Sequence, residues 1–407
     1  MAAPATAFPL ENTTSIGQSL SLTREIASVD RFYRPELDAL RFLAFLSVFL
    51  HHGLPSIDRQ HFSGLVLAIV RLESVVKHAG GFGVCLFFVL SAYLITELLN
   101  RERTRAGRVD VVAFYIRRIL RIWPLYFLFL LFAFTLGTVV HSYHIEPARI
   151  WSFVFLAGNW YVAAVGCAGS PIAPLWSISL EEQFYLAWPW IAKIGGRALM
   201  VGLSLMLFPV SWIVLVVLAR HGEQANGAIW VNSLVQFQFF ALGALLAIAL
   251  KGRAPKFNRG TRCSFLAAGL LCWLLAAGAF GIKTDTPPPS PASLVFGYVF
   301  VAAGCAMLLL AFLGVSRWLS PKLVYLGKIS YGLYVFHMLA IILVGKVLAR
   351  AGMLESSALG TKLAHSLVFQ WAALTVTILL AVLSYRFLER PFLKMKQRFT
   401  VIRSRAA

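Results

Sequence analysis

Residues 124–140 read PLYFLFLLFAFTLGTVV, an apolar run without a charged residue, and Arg117, Arg118 and Arg121 stand just before it. Its length suits the roughly 17–25 residues a helix needs to cross the hydrocarbon core of a bilayer. Similar runs recur at about 39–55, 81–99, 151–165, 178–194, 198–219, 229–250, 263–281, 292–314, 329–349 and 366–388. Over 407 residues, 59% are hydrophobic and 13% charged, against about 45–50% and 25% in soluble domains. Such a composition excludes a soluble enzyme, a disordered chain and a disulfide-stapled secreted domain. A transmembrane barrel would show alternating strands of about ten residues instead. The prediction is an all-α, polytopic integral membrane protein.

The net charge of +20 does not call for nucleic acid as a partner, because the basic residues fall between apolar runs, where Lys and Arg mark cytoplasmic loops. The loop at 100–123 holds Arg101, Arg103, Arg105 and Arg108 besides the three arginines above. Lys251, Arg253, Lys256, Arg259 and Arg262 form a second cluster, and a third runs from Arg386 to the C-terminus. These three share one side only if one candidate run fails to cross. The run at 151–165, short and interrupted by Trp, Asn and Gly, is the natural exception. The chain is therefore expected to have about ten transmembrane helices and one additional short re-entrant or interfacial segment, with both termini cytoplasmic. Its domains read as a flexible cytoplasmic tail over 1–38, a membrane domain over 39–392 and a basic tail over 393–407. The stretches 56–80 and 141–177 read as extramembrane, and Pro287–Pro289 with Pro291 as an external turn. The five cysteines form no C-x-x-C pair and read as small buried hydrophobes, with no metal site implied.

Ionisable groups within a span are costly and mark function by default. The first run holds Asp38, Arg41 and His52. Eleven residues of helix turn about 1100°, so Arg41 and His52 lie about 20° apart on one face and about 16 Å apart along the axis. His51 is turned about 80° from Arg41. An Arg and a His lining one aqueous pathway could bind an anion at one end and do acid–base work at the other; Asp38 and Arg41 also suit simple interfacial anchoring. Arg118 and Arg121, at i and i+3, lie side by side on one helix face, and paired guanidiniums suit phosphate, though topology alone also asks for arginines here. In PLWSISLEEQFY (174–185), Ser179 and Glu182 fit a capping box, leaving Glu181 free to bind a hydroxyl-bearing substrate beside Trp176 and Tyr185. In SYGLYVFH (330–337), His337 sits within an apolar helix, as a core histidine or a catalytic one.

These segments, in this order, resemble the acyltransferase family 3 membrane proteins, which O-acylate sugars and related acceptors. ELDALRFLAFLSVFLHH (36–52) is similar to that family's Asp-x-x-Arg followed by ten residues and a His, a spacing that selects His52. GVCLFFVLSAYLI (83–95), which holds Ser91, resembles its second-helix signature, with Ala92 where Gly is usual and Cys85 where a polar residue is frequent. RRILRIWPLY (117–126), WSISLEEQFY (176–185), ISYGLYVFH (329–337) and LERP (388–391) resemble its later signatures.

The resemblance implies an acyl-CoA donor, most often acetyl-CoA, held on the cytoplasmic side by Arg118 and Arg121. It implies a carbohydrate or glycolipid acceptor at the outer face of a bacterial cytoplasmic (inner) membrane. His52 would be general base or transient acyl carrier, Arg41 would stabilise charge, and Glu181 would position the acceptor or orient His52. Asp38, Ser91, Trp176, Tyr185 and His337 would support them. No metal is implied, and the esterase-like domain appended in some relatives is expected to be absent. A transporter or flippase for an anionic glycan or lipid is the alternative that the same intramembrane Arg and His allow.

Overall fold

The computed structural model describes residues 32–55, 62–140, 144–166, 170–223, 227–283, 290–352 and 359–399. Most of the expected N-terminal tail, the Pro287–Pro289 turn and residues 400–407 of the basic tail lie outside the described residues. Within them the regular structure is helical, with no strand, as the continuous apolar runs require of a chain whose backbone must bond to itself in lipid.

The first helix, α1 (Pro35–Gly53), begins before the boundary expected at residue 39. Pro35 supplies a preset helical φ at the first position, and the acidic residues that read as tail are buried and bonded. Glu36 accepts from the backbone N–H of Gly314 at 3.0 Å, and Asp38 from the Tyr33 hydroxyl at 3.0 Å. The stretch 56–80, read as extramembrane, contains α2 (Gly64–Gly80), which packs on α1 and on a later helix, Arg259–Gly278. Arg71, Glu73 and Lys77 lower its hydropathy, yet Leu65, Ile69, Leu72 and Val76 recur at helical spacing and form an exposed apolar stripe.

Next come α3 (Gly83–Ala106) and α4 (Val111–Val139). The run at 151–165 is two helices of eight residues each, α5 (Pro147–Val154) and α6 (Gly158–Val165). At about 1.5 Å per residue neither can cross a bilayer. Trp151 and Trp160 on them, and Phe155 in the turn between, are exposed, as suits a membrane–water boundary. A buried polar ring fastens α6 to the bundle. Asn159 donates to the Ser233 hydroxyl at 2.9 Å, Ser233 donates to Gln183 at 2.7 Å, and Gln183 donates back to Asn159 at 2.8 Å.

Helix α7 runs from Trp176 to Arg220 and is broken at Gly196, where φ is 57° and ψ −145°. An unbroken helix of this length would measure about 68 Å, over twice the hydrocarbon thickness. The break leaves the last carbonyls of the first half without intrahelical partners, and Arg103 donates to one of them, Ala192, at 2.9 Å. A Cβ at Gly196 would collide with that same guanidinium, so this position needs glycine for its φ and for its neighbour.

The remainder comprises α8 (Ser233–Leu250), α9 (Arg259–Gly278), α10 (Pro291–Phe312), the short α11 (Pro321–Lys328), α12 (Ser330–Arg350), α13 (Leu359–Ser384), a π-turn over 385–389 and α14 (Arg390–Lys396). Helix α3 is central, packed against α8, α1, α7 and α10, while α12 and α13 pair with each other and α12 also meets α1. Gly243 of α8 abuts the Val89 carbonyl of α3, the close approach that small residues permit between membrane helices. Cys85 and Cys305 are buried as read, but Cys263, near the start of α9, is exposed.

Eight helical segments among the described residues are long and apolar enough to cross a membrane. Helix α1 falls outside that set because Glu36, Asp38 and Arg41 crowd its first half, and Ala173–Arg220 counts once although Gly196 divides it. Gly64–Ala106 also counts once although it joins α2 and α3; adding α1 and separating the halves of α7 gives ten if α2, with its three charges, does not cross. Cysteine-accessibility labelling on a Cys-free background tests it: positions 105 and 256 should react from the same, cytoplasmic side. Reaction of 256 from outside would overturn the even number of crossings between the two positions.

Candidate active site

Two adjoining cavities open into the bundle from its arginine-rich end, and both are lined by Arg41, Leu94, Arg118 and Arg121. The outer one also touches Tyr33, Asp38, Arg117 and Lys396. The inner one reaches Ser91, Glu181, Tyr185 and Tyr334. Residues distant in sequence meet here because α1, α3, α4, α7 and α12 each contribute one face.

Glu181 is held from both sides. Ser91 donates to one carboxylate oxygen at 2.9 Å and the Tyr185 hydroxyl to the other at 2.9 Å. Arg118 lies across two aromatic faces, 5.4 Å from the ring centroids of Phe114 and of Tyr185, and its buried Nε has no hydrogen-bond partner among the described residues. Cation–π attraction to the two rings holds the guanidinium while leaving that donor available. Arg41 is half-buried and pairs with Asp38 at 3.3 Å. These groups assemble a positive chamber around one anchored carboxylate, the donor set that suits a phosphorylated ligand.

Other sequence-derived candidates sit elsewhere than expected. Arg117, beside Arg118 in sequence, turns away to pair with Glu102 at 2.9 Å. Trp176 is buried and packs edge-on against Phe88 and Trp230 rather than lining either cavity. The Ser179–Glu182 capping box does not form. Helix α7 starts at Trp176, three residues earlier, with no side-chain cap, because the turn Ala173–Leu175 leads straight into it. Glu182 instead accepts from Trp123 Nε1 at 3.2 Å. Glu181 faces Arg41 and Arg118, so it stands with the arginines and not with His52.

The histidines form a second group near the other end of α1. Helix α1 is continuous, which keeps Arg41 and His52 on one face, but Phe45, Val48 and Phe49 fill that face between them and are fully buried. Neither cavity is lined by His52 or His337. His52 is exposed, with its ring centroid 4.9 Å from His51 and 5.4 Å from His337. His51 bonds through Nδ1 to the Lys77 carbonyl of α2 at 2.7 Å. His337 is buried and bonds to the Tyr334 carbonyl at 2.5 Å. Sequence reasoning overlooked Tyr334, which lines the inner cavity, shares a 2.7 Å hydrogen bond with Ser177, and touches His337. The i, i+3 spacing of Tyr331, Tyr334 and His337 was the available signal.

Fold and chambers together define a polytopic membrane protein with a polar site inside its helices. The family model described as an acyltransferase domain matches residues 34–386, and the chain belongs to that family. Among its relatives is OatA of Staphylococcus aureus (strain NCTC 8325 / PS 47), an O-acetyltransferase, 25% identical over 91% of this chain and 60% of that protein. YrhL of Bacillus subtilis (strain 168), named as a candidate peptidoglycan O-acetyltransferase, is 27% identical over 88% of this chain and 55% of its own length. SAS0844 of Staphylococcus aureus (strain MSSA476), named as a candidate O-acetyltransferase, is 26% identical over 89% and 58%. The chain thus spans less than two-thirds of the length of these relatives. No solved structure matches it significantly.

Proposed function

We propose that this protein is a membrane O-acyltransferase, moving an acyl group, acetyl above all, from cytoplasmic acyl-CoA to a hydroxyl of a carbohydrate or glycolipid acceptor at the outer face of a bacterial cytoplasmic membrane. The observation that carries the reading is the chamber shared by Arg41, Arg118 and Arg121 within the acyltransferase domain. A phosphorylated donor entering from the arginine-rich end would meet Arg118 and Arg121 first. The guanidinium of Arg118 offers an unused buried donor, and Arg121 has no ion-pair partner among the described residues. The acetyl carbon must then come within reach of an acceptor hydroxyl, with His52 as general base and Arg41 stabilising the charge that develops. Glu181, held by Ser91 and Tyr185, fixes the geometry of the arginine chamber rather than taking a proton. The acetyltransferase names of the relatives favour acetyl as the group moved, and one of those names points to a peptidoglycan-type glycan.

Purified full-length protein in liposomes, given acetyl-labelled acetyl-CoA and isolated cell-envelope glycans, should place base-labile label on the glycan. Label that stays on acetyl-CoA, together with glycan movement across the liposome membrane, would replace the enzyme reading with that of a carrier.

A further inference from the structure

One buried nitrogen lone pair is left unused by the chemistry above. His337, on α12 and 0% exposed, bonds through Nδ1 to the Tyr334 carbonyl at 2.5 Å. A carbonyl oxygen only accepts, so Nδ1 carries the proton and Nε2 keeps the lone pair. That Nε2 is buried and has no hydrogen-bond partner among the described residues. Buried acceptors are nearly always paired, and one that is not asks for an explanation.

Three rings touch His337: Phe45 edge-on at 6.2 Å, and Tyr334 and His52 at 5.4 Å each between centroids. Phe45 has no polar hydrogen. The Tyr334 hydroxyl is engaged with Ser177 at 2.7 Å and the Pro174 carbonyl at 3.2 Å. His52 makes no hydrogen bond to any described residue and is the remaining ring able to donate. A small reorientation of its imidazole would complete an N–H···N bond.

We propose that His337 is the positioning residue for His52. Its Nε2 accepts the ring N–H of His52, which fixes the tautomer and turns the other ring nitrogen of His52, with its lone pair, toward the acceptor hydroxyl. This inference rests on the reading of His52 as general base. The hydroxyl proton passes to His52, the oxygen's electron pair forms the new ester bond, and the acyl carbon–sulfur bond of the thioester breaks. The proton on His52 then goes to the departing thiolate. His337 gains and loses no proton; it holds His52 in one orientation in both charge states, the part that a third group plays for a base beside a nucleophile.

The test uses the full chain in nanodiscs with 15N-labelled histidine, the His52 signals being assigned by their loss in His52→Ala. In the wild type His52 should show one protonated and one unprotonated ring nitrogen. In His337→Phe the two should average between tautomers. In His337→Gln, whose amide can donate to Tyr334 and accept from His52, the single tautomer should return. In membranes given labelled acetyl-CoA, ester label on envelope glycans should form about 10- to 100-fold more slowly in His337→Phe at unchanged KM for acetyl-CoA, with His337→Gln between the two. That loss is smaller than the 10²–10⁴-fold contributed by a general base itself. Tautomer averaging already present in the wild type overturns the proposal and needs no variant to fold. So does a His337→Phe protein with wild-type turnover while His52→Ala is inactive. Activity in His52→Ala would instead overturn the reading of His52 as base.

Discussion

His52→Ala should abolish acyl transfer in a protein that still folds and inserts, whereas His51→Ala should keep most of the activity. The two residues are neighbours with ring centroids 4.9 Å apart, so a general effect of polarity or charge would strike both. Their surroundings differ. His51 bonds to the Lys77 carbonyl and so ties α1 to α2; losing that bond should cost about 1 kcal/mol of stability, typical of one net hydrogen bond. His52 is exposed, shares its helix face with Arg41, and stands beside His337. A general base contributes about 10²–10⁴-fold, which an endpoint assay with labelled acetyl-CoA resolves, and thermal unfolding in detergent separates the structural effect. Equal loss from both substitutions would make the pair a local structural element.

Replacing Arg118 and Arg121 with Ala should raise the KM for acetyl-CoA while leaving the acceptor KM unchanged. A hydrogen bond to a charged group is worth about 1.5–3 kcal/mol, which converts to roughly 10- to 150-fold for each arginine. Arg118→Lys should not rescue, because an ammonium lacks the planar fork of donors that Arg118 holds 5.4 Å from the ring centroids of Phe114 and Tyr185. Arg117→Ala is the internal contrast. It leaves Glu102 buried without its 2.9 Å partner, so it should lower stability with little change in KM. Wild-type donor affinity in the Arg118 and Arg121 variants would reduce the pair to a marker of topology.

The all-α membrane architecture and the shortness of the segment at 151–165 were legible because both follow from run length and breakers, but its division into two helices was not foreseen. Helix α2 was overlooked because three charges lowered its average hydropathy, although its apolar stripe repeats at helical spacing. Within the site, Arg118 and Arg121 could be paired from their spacing alone, but nothing local told which of three neighbouring arginines would be diverted. That depended on Glu102, fifteen residues away and on another helix. Glu181 was singled out because Glu182 was assigned to a capping box that does not form, and of the groups that hold it only Tyr185 was placed beside it from the sequence. Its partners Ser91 and Tyr185 come from α3 and from the next turn of α7, a meeting that tertiary packing decides. The face shared by Arg41 and His52 followed from helix geometry. That it is filled by Phe45, Val48 and Phe49 followed from side-chain packing between helices, which spacing does not report.

The packed layer of Phe45, Val48 and Phe49 also bears on the membrane as an insulator. Moving one elementary charge through a membrane potential of 100 mV releases about 2.3 kcal/mol. A continuous water thread from the arginine chamber to the histidines would therefore short-circuit the very gradient its cell maintains. Phe45, Val48 and Phe49, fully buried between the two groups, interrupt such a thread along α1. Under the acyl-CoA reading proposed above, the slim, uncharged acyl end of a thioester is a cargo that could part such a layer without wetting it, and the same three side chains would then serve both transfer and electrical sealing.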